Sequence, residues 1–331
     1  RYSRNVPVAA AHGIHARPAA RIAAALRRFA AEVMLASGGK GANARSTVAL
    51  LGLGVRAGDM VEITGIGGDA RGAVDAVAAL ILAGLGEEAA AAPAVRPAPT
   101  GQAVTGAPGL AIGQVTQLRA VDLDVAVDGA GVAHERQALA EALAAVAAGL
   151  GGGNRAAAEI AEAHRALLAD PELAGAAERG IAAGRSAAFA WRAATRSAAD
   201  AIRATGDALL MERVADLADL ERQVIAHLLG QDAPAVPAIA PDTILISEDL
   251  LPSQFLALDR ARLAGIVTAA GGPTAHVAIL AASAGVPMLV AAGEAVLAIP
   301  EGRTVILDAD RAALDADPGV GALASASERL A

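Results

Sequence analysis

The first 90 residues alternate between short apolar runs and segments with helical spacing. In the stretch 16–30, Ile22, Leu26 and Phe29 recur three or four positions apart, which predicts a helix with one buried face. Strands that alternate with helices favour a small α/β sandwich. The pattern predicts strands over 4–10, 31–37 and 59–67 and helices over 16–30, 46–54 and 69–85.

Polar residues and a proline mark where these helices begin. Asp69 stands directly before the third helix, and an aspartate there commonly accepts hydrogen bonds from the first backbone amides. Ser46 stands before the short second helix in the same way. Pro18 falls in the first turn of helix 16–30, where its missing N–H costs no helical hydrogen bond. We therefore expect Asp69 to be an N-cap, and an N-cap is the purely structural role open to Ser46.

A segment rich in Ala and Pro ends this part of the chain. The stretch "AAAAPAVRPAPTGQ" has no periodicity and is typical of an extended, semi-rigid linker. The sequence therefore predicts a first domain over 1–90, a linker over 91–103 and a second domain over 104–331.

The second domain contains a long helical stretch between segments with α/β character. Residues 133–230 predict several helices with no strand between them, which favours an antiparallel bundle. We expect this bundle, at about 133–232, to be inserted into an α/β domain whose first strand comes from 104–132. The predicted elements of that domain are strands over 108–118, 242–250, 263–272, 286–293 and 302–310 and a helix over 275–285.

Composition narrows the class of protein. The 331 residues include no cysteine, which excludes disulfides, a thiolate nucleophile and a cysteine-ligated metal. No apolar run approaches the ~20 residues that a membrane helix needs, and no secretory signal is visible. Basic runs and stacking aromatics are also missing, so nucleic acid is not an expected partner. We expect a cytoplasmic protein.

The charge is unevenly distributed. Residues 1–90 carry ten Lys/Arg and seven Asp/Glu, a net charge of +3, and the total of −8 leaves −11 for the rest of the chain. This difference suits a first domain that docks on the second, although small domains also differ in charge by chance.

The stretch "GIHARPAA" (13–20) places His15 directly before a predicted helix. The first backbone N–H groups of a helix lack intrahelical acceptors and form the positive end of its dipole. An anion on the His15 ring would be stabilised by the amides of Ala16 and Arg17 and by the Arg17 guanidinium. The pattern indicates a phosphorylated histidine, with a simple N-cap as the alternative.

A second stretch, "GGPTAHVAIL" (271–280), repeats this arrangement at His276. A Gly-Gly turn follows an apolar strand, and Thr274 could hydrogen-bond the ring or a bound phosphoryl group. A buried histidine in a strand-to-helix loop is the alternative. Two such sites together suggest two phosphohistidines, because a neutral imidazole is nucleophilic near neutral pH.

The other histidines give weaker evidence of a functional role. His134, His164 and His227 lie in amphipathic helices and are expected to be surface or packing residues, and His12 is expected to be incidental. No metal-binding spacing such as HExxH joins any of the histidines, so we expect no metal site.

"GIHARPAA" and the following residues to about 88 resemble HPr, the histidine phosphocarrier of the bacterial phosphotransferase system. The resemblance implies an open-faced β-sandwich with His15 as the phosphorylated residue and Arg17 beside the phosphoryl group. It also aligns Ser46 with a serine that some HPr proteins use for regulatory phosphorylation.

Residues 104–318 resemble the N-terminal half of enzyme I, in "APGLAIGQV", "ALLADPEL" and "GIVTAAGGPTAHVAILAASAGVPMLV". The resemblance implies a swivelling α/β domain phosphorylated on His276 and a helical insertion that docks HPr. Thr274 and His276 are kept, while Pro273, Ala275 and Val277 depart from the usual form of the motif.

HPr followed by part of enzyme I is most similar to the C-terminal part of the DhaM family, the phosphoryl donor subunits of dihydroxyacetone kinase. This implies a phosphotransferase that receives phosphate from enzyme I and HPr. The acceptor would be a dihydroxyacetone kinase subunit or an EIIA-type domain. No cofactor is expected in this chain, because phosphoenolpyruvate and Mg²⁺ would bind an absent barrel domain or a separate enzyme I.

Three other interpretations remain open from the sequence. The first is a fragment of a multiphosphoryl transfer protein, an HPr–enzyme I fusion for sugar transport. The second is a regulator that only binds a kinase or a transcription factor. The third is a piece of an enzyme similar to pyruvate phosphate dikinase. We expect a relay that passes phosphate between His276 and His15.

Overall fold

The structure is a computed structural model with mixed α/β architecture, which confirms the predicted fold class. It describes residues 1–86, 103–119, 123–151, 155–231, 238–273 and 275–330. Backbone contacts divide the chain into two compact units. One contains Arg1–Val95, Val125–Leu150 and Ala161–Gly230, and the other contains Arg96–Asp124, Gly151–Ile160 and Gln231–Ala331.

Residues 1–86 form a sandwich of one antiparallel sheet and three helices, which we call the N-terminal sandwich. Its strands are β1 (Tyr2–Pro7), β2 (Glu32–Ser37), β3 (Lys40–Asn43) and β4 (Met60–Ile66), in the spatial order β1-β4-β2-β3. Its helices are α1 (Ala16–Leu26), α2 (Thr47–Gly52) and α3 (Ala70–Leu82). The helices cover one face of the sheet, while Met34, Met60 and Ile66 are exposed. The sandwich is therefore open-faced.

Helix α1 is shorter than its periodicity predicted. It ends at Leu26 because the Arg45 guanidinium takes the carbonyls that follow: Arg45 donates to the oxygens of Leu26 at 2.8 Å, Phe29 at 2.5 Å and Ala31 at 3.1 Å. A side chain from a later loop thus satisfies carbonyls that would otherwise continue the helix. Strand β3 was not predicted from the sequence.

Asp69 occupies the N-cap position of α3, but the prediction that its side chain caps this helix was wrong. The carboxylate instead accepts hydrogen bonds from the amides of Ala30, at 2.7 Å, and Ala31, at 2.8 Å. These bonds, that of Ala30 above all, lower the pKa of Asp69, although partial burial works in the opposite direction. Asp69 therefore joins the start of α3 to the entry of β2.

The described residues of the helical stretch form five helices, α4 (Val132–Gly149), α5 (Arg155–Leu168), α6 (Pro171–Ala182), α7 (Ala187–Arg203) and α8 (Ala208–Leu228). Helix α7 packs against α6 and α8, and α4 contacts all three. Trp191 of α7 is completely buried. Helix α6 begins with a proline directly after Asp170, a position at which the missing N–H costs no helical hydrogen bond. We call α4 and α6–α8, with the part of α5 from Ala161 onward, the bundle.

The remaining strands form one seven-stranded sheet in the order β11-β10-β6-β7-β8-β9-β5. Strands β5 (Val104–Ala107) and β6 (Leu110–Leu118) precede the bundle, and β7 (Thr243–Ser247), β8 (Leu263–Thr268), β9 (Met288–Val290), β10 (Thr304–Asp308) and β11 (Ala313–Asp315) follow it. Strands β6, β7, β8 and β9 run parallel to one another. The helical stretch thus interrupts the sequence of a sheet that is continuous in space.

Three helices accompany this sheet: α9 (Pro252–Ala257), α10 (His276–Ala284) and α11 (Val320–Leu330). Elements α9, β5, β11 and α11 were not predicted from the sequence, whereas the predicted strand over 108–118 corresponds to β6. Gly109, with a φ of +134°, separates β5 from β6. Among the described residues, no helix is both long and apolar enough to cross a membrane.

Candidate functional site

His15 occupies the N-cap position of α1, and its ring is partly exposed. The first helical hydrogen bond runs from the Ala19 amide to the His15 carbonyl at 2.9 Å. Helix geometry therefore leaves the amides of Ala16 and Arg17 without intrahelical acceptors. Because Pro18 has no N–H, these two amides and the exposed Arg17 side chain are the local groups that would meet an anion at the start of α1.

The backbone before His15 is held closely against the loop that follows α2. The Ile14 amide donates to the Val55 carbonyl at 3.0 Å, and Ile14 is 1% exposed. Gly13 has a φ of +70°, and a Cβ atom there would lie 2.1 Å from the same carbonyl oxygen. Only glycine fits this position, so Gly13 fixes where the chain delivers His15.

His12 lies close to His15 without sharing its helix position. Their ring centroids are 6.4 Å apart and the rings meet edge to face. His12 is exposed and precedes the Gly13 turn. It is therefore a natural internal control for His15.

His276 is the first residue of α10 and is partly buried. The preceding residue, Ala275, occupies the N-cap position and has no side-chain group that could bond the first amides. The Ile279 amide bonds back to Ala275 at 3.2 Å, so the amides before Ile279 lie at the free end of the helix. His276 thus stands at the positive end of a helix dipole, as His15 does.

The turn between β8 and α10 is held by backbone hydrogen bonds from both neighbouring strands. On one side, the Ala270 amide donates to the Glu248 carbonyl at 2.8 Å. On the other side, the Ala291 amide donates to the Ala270 carbonyl at 3.1 Å. Gly271 follows with a φ of +87°. The chain that leads to His276 is therefore fixed on both sides before it reaches the Gly-Gly turn.

Polar residues that the sequence analysis missed lie at the carboxyl ends of β7 and β8. Ser247 and Thr268 are neighbours in the sheet and are almost completely buried, on the face that carries Leu245 and Ile266. The Thr268 hydroxyl donates to the Ala270 carbonyl at 2.8 Å. The Ser247 hydroxyl has no hydrogen-bond partner among the described residues. Open α/β sheets bind ligands at the carboxyl ends of their parallel strands. A serine at the end of an apolar run was therefore the sequence feature that could have indicated a site residue here.

Asp249 lies beside the same turn. Its Oδ1 accepts a hydrogen bond from the Leu250 amide at 2.9 Å and is 3.4 Å from where a Cβ atom of Gly271 would lie. Asp249 keeps accessible surface, but the surrounding protein removes part of the water from its carboxyl group. This desolvation, more than the neighbouring Glu248 charge, raises the pKa of Asp249 above its ordinary value. A Cβ atom at position 271 would therefore come into contact with this carboxyl group.

Thr274, the predicted hydroxyl partner of His276, lies outside the described residues. The other histidines take the surroundings expected of surface and packing residues. His134 and His227 are exposed. His164 is buried in the bundle, with Nε2 at 3.3 Å from Oδ1 of Asp216, which also bonds Arg213 at 2.6 Å.

Ser46 caps α2 as predicted and also bonds the bundle. Its hydroxyl oxygen accepts from the Ala49 amide at 2.9 Å, and its O–H donates to Oδ1 of Asp170 at 2.7 Å. Oδ2 of Asp170 accepts from the Val48 amide at 3.1 Å, and Oδ1 accepts from the Glu172 amide at 3.0 Å. One carboxylate therefore caps two helices, α2 of the sandwich and α6 of the bundle.

The other end of α2 faces the end of α7. A Cβ atom on Gly52 would lie 3.6 Å from Cβ of Ala201, and one on Gly54 would lie 3.2 Å from Cβ of Thr205. Val55, which accepts from the His15 loop, directly follows Gly54. The contact between sandwich and bundle thus extends along α2 and ends beside the His15 turn.

Comparison with protein families separates the chain into three matched segments. Residues 2–83 match the family described as the PTS HPr component phosphorylation site. Residues 102–213 match the N-terminal domain of PEP-utilising enzymes, and residues 239–312 match their mobile domain. His15 and His276 fall in the first and the third segment.

Curated relatives carry these segments in longer chains. The chain is 35% identical over 333 residues to a multiphosphoryl transfer protein of Xanthomonas campestris, an alignment that covers 92% of this chain and 39% of the relative. It is 32% identical over 313 residues to the phosphoryl donor subunit DhaM of the PEP-dependent dihydroxyacetone kinase of Klebsiella michiganensis, covering 90% of this chain and 63% of the relative. The chain thus spans less than two thirds of either relative.

A solved structure supports the assignment of the later segments. The solution structure of an enzyme I protein, nEIt, aligns with 69% of this chain and 97% of its own, at 26% identity and a TM-score of 0.50. The chain therefore combines an HPr component domain with the N-terminal and mobile domains of PEP-utilising enzymes.

Proposed function

We propose that this chain is a phosphoryl relay of a phosphoenolpyruvate-dependent phosphotransferase system, passing phosphate between His276 and His15. The observation that carries the proposal is that each histidine stands at the amino end of a helix within a segment matched to a phosphotransferase family. A helix amino end stabilises the charge that a phosphoryl group brings.

The transfer we propose exchanges one nitrogen–phosphorus bond for another. A ring nitrogen of the accepting histidine attacks phosphorus as the bond to the donor nitrogen breaks, and the donor leaves as neutral imidazole. At His15, the amides of Ala16 and Arg17 and the Arg17 guanidinium would hold the phosphoryl oxygens. At His276, Thr274 is the proposed hydroxyl partner. Similar bonds on both sides make the transfer reversible.

The proposed organisation follows the boundaries expected from the sequence. Residues 1–90 would be the phosphocarrier domain, 91–103 the linker, and 104–331 the enzyme I-like phosphohistidine domain with its helical insertion at about 133–232. Phosphoenolpyruvate and Mg²⁺ would act on a barrel domain outside this chain or on a separate enzyme I, which with HPr would supply phosphate. We place the relay in the cytoplasm.

For the acceptor, we propose a subunit of a dihydroxyacetone kinase or an EIIA-type domain. The Klebsiella relative supports this choice, because it is a phosphoryl donor subunit of which this chain covers 63%. The alternative is a part of a multiphosphoryl transfer protein for sugar uptake. The Xanthomonas relative favours that alternative, because it has the higher identity, 35%, over 92% of this chain.

The regulatory role of Ser46 stays a prediction. Its hydroxyl is completely buried and bonded to Asp170, so a kinase could reach it only after α2 leaves the bundle. A phosphoryl group on Ser46 would then face the Asp170 carboxylate and oppose redocking.

The experiment that tests the relay is phosphorylation followed by mass spectrometry at alkaline pH, where phosphohistidine survives. The chain is incubated with phosphoenolpyruvate, Mg²⁺, enzyme I and HPr. We expect two acid-labile sites, one lost in His15→Ala and the other in His276→Ala. His12→Ala is the matched control, since its ring lies 6.4 Å from that of His15.

The control must keep both sites. Label on His12, or on any residue other than His15 and His276, would contradict the assignment. Without added enzyme I the chain should stay unlabelled, so self-phosphorylation by phosphoenolpyruvate would contradict the placement of the phosphoenolpyruvate site outside this chain.

A further inference from the structure

We propose that the chain's own sandwich occupies the surface on which the bundle would receive a phosphocarrier, and so excludes a free phosphocarrier from it. We call this surface the docking face and define it by Asp170, Ala201 and Thr205. The proposal rests on the proposed function, because it takes the sandwich to be a phosphocarrier that the bundle binds, but its test measures binding and not phosphoryl transfer.

The first support is the burial of the Asp170 contact. Ser46 is 0% exposed and Asp170 is 2% exposed. The carboxylate takes three described hydrogen bonds: the Ser46 hydroxyl and the Val48 amide come from the sandwich, and the Glu172 amide comes from the bundle's own α6. A buried carboxylate is tolerated when donors surround it. Another protein could use Asp170 only by replacing both donors from the sandwich.

The second support is the close approach at the opposite end of α2. Gly54 has a φ of +64°, and the position of its missing Cβ atom is 3.2 Å from Cβ and Cγ2 of Thr205. Helix α2 thus contacts α6 and α7 of the docking face at both of its ends, while Ala201 keeps exposed surface between them. A second phosphocarrier that presented the same helix could not bind at the same time.

The chain connection makes the self-contact hard to displace. A tethered domain faces its partner at an effective concentration on the order of 1 mM. For a contact whose intermolecular Kd is about 10 μM, the docked form would exceed the undocked form by about 100-fold. A free phosphocarrier should therefore bind the wild-type chain about 100-fold more weakly than a chain whose docking face is open.

Ser46→Asp should open the docking face and leave the bundle unchanged. Aspartate is as good an N-cap as serine, so α2 should keep its first turn. In the docked form, however, the new carboxylate would lie against Asp170 in a buried site, where two like charges repel each other strongly. Ser46→Asn is the matched control. Asparagine has the shape of aspartate and is also a good N-cap, but it is neutral and its side-chain amide can donate a hydrogen bond to Asp170.

Thr205→Trp should release a sandwich with intact Ser46. The indole would occupy the space that Gly54 now fills, so this chain cannot dock its own sandwich. Position 205 is distant along the chain from the cap of α6, so the substitution leaves that cap in place. The matched control is Ala204→Trp, at the exposed end of α7. The released sandwich then serves as the free phosphocarrier, supplied by a second copy of the chain.

The test is sedimentation velocity of pairs of full-length chains at about 100 μM each and pH 8, where both carboxyl groups of Ser46→Asp are ionised. Ser46→Asp mixed with Thr205→Trp should form a dimer, in which the Trp variant's sandwich docks on the open face of the other chain. Wild type mixed with Thr205→Trp should remain monomeric. Ser46→Asn mixed with Thr205→Trp, and Ser46→Asp mixed with Ala204→Trp, should also remain monomeric.

Two outcomes would overturn the proposal. Wild type that dimerises with Thr205→Trp as readily as Ser46→Asp does would show that the docking face is open. Folded Ser46→Asp and Thr205→Trp chains that do not associate would show that this contact does not carry docking. If circular dichroism shows that Thr205→Trp is unfolded, Asp170→Ala takes its place in the mixtures. Loss of the Asp170 carboxylate also releases the sandwich, so the same two outcomes would overturn the proposal.

Discussion

Replacing Gly13 by alanine should damage both the N-terminal sandwich and the proposed phosphorylation of His15. A Cβ atom at position 13 would lie 2.1 Å from the Val55 carbonyl oxygen and 2.8 Å from Cα of Arg56. Both atoms belong to backbone, so no side-chain rotation relieves the overlap. The His15 turn would have to move away from the Val55 loop by about 1 Å to restore ordinary contact.

The cost can be worked out from this geometry. Alanine at a φ of +70° costs about 1 kcal/mol relative to glycine. Separation of the two loops breaks the hydrogen bond from the Ile14 amide to the Val55 carbonyl, and a buried amide without a partner costs about 1–3 kcal/mol. Reduced freedom of the unfolded chain returns up to about 1 kcal/mol. These terms sum to a net loss of about 1–4 kcal/mol, and we take the middle of this range, about 2–3 kcal/mol, as the expected value.

The assay is hydrogen exchange measured by mass spectrometry on peptides that contain Ile14 and Val55, together with the initial rate of His15 phosphorylation. Exchange should accelerate by about 30- to 150-fold at 25 °C, and phosphorylation should slow by about 100-fold because the reacting nitrogen is misplaced by about 1 Å. The control is Gly68→Ala, at an exposed glycine with nothing within 4 Å of the added Cβ atom. Equal exchange and equal rates in the two variants would refute the argument.

Other changes should report on the remaining contacts. Asp170→Ala removes the acceptor of the Ser46 hydroxyl and of the Val48 amide, so it should destabilise the unit by about 2–4 kcal/mol in urea unfolding, and Asp170→Asn, which keeps one acceptor oxygen, should cost less. Hydrogen bonding lowers the pKa of Asp69, so the ionised carboxylate stabilises the fold above the pKa that this group has in the unfolded chain, and this stabilisation is lost as the pH falls through the lower pKa of the folded state. Asp69→Asn should therefore flatten the acid dependence of the free energy of unfolding, and an unchanged slope would contradict this role. The Arg329 guanidinium, bonded at 2.8 Å, lowers the pKa of Asp308, so Arg329→Ala should raise that pKa in a ¹³C NMR titration. Ser247→Ala should leave the melting temperature unchanged or slightly higher, since no described residue bonds this buried hydroxyl, whereas a loss above about 1 kcal/mol would reveal a partner.

The elements that follow from local pattern were predictable from the sequence. The apolar spacing over 16–30 predicted the start of α1 at Ala16, where the structure has it. Both candidate histidines were found for the same reason, because a glycine turn, a histidine and a helix start are contiguous in the chain. A short motif therefore predicts that each histidine starts a helix, although distant backbone groups at Val55, Glu248 and Ala291 hold the two turns in place.

Features set by distant residues could not be read in this way. The end of α1 depends on Arg45, whose guanidinium reaches carbonyls 14 to 19 residues earlier in the chain. Asp69 has the residue type and position of an N-cap, yet the amides at Ala30 and Ala31 take its carboxylate. In both cases a charged side chain joined two segments that the sequence pattern treated as independent.

The contact between Ser46 and Asp170 is a further feature that depends on distant residues, and it bears on the proposed docking of the sandwich. Each residue has the pattern of an ordinary N-cap, and each does cap its own helix. What no local pattern shows is that the Ser46 hydroxyl donates across 124 positions of sequence to the second cap. The charge difference between the first 90 residues and the rest favoured docking, but the donors at this contact are a neutral hydroxyl and a backbone amide. Net charge can steer the approach, whereas the shared cap fixes where α2 contacts the bundle, and we expect a single negative charge at position 46 to oppose this contact.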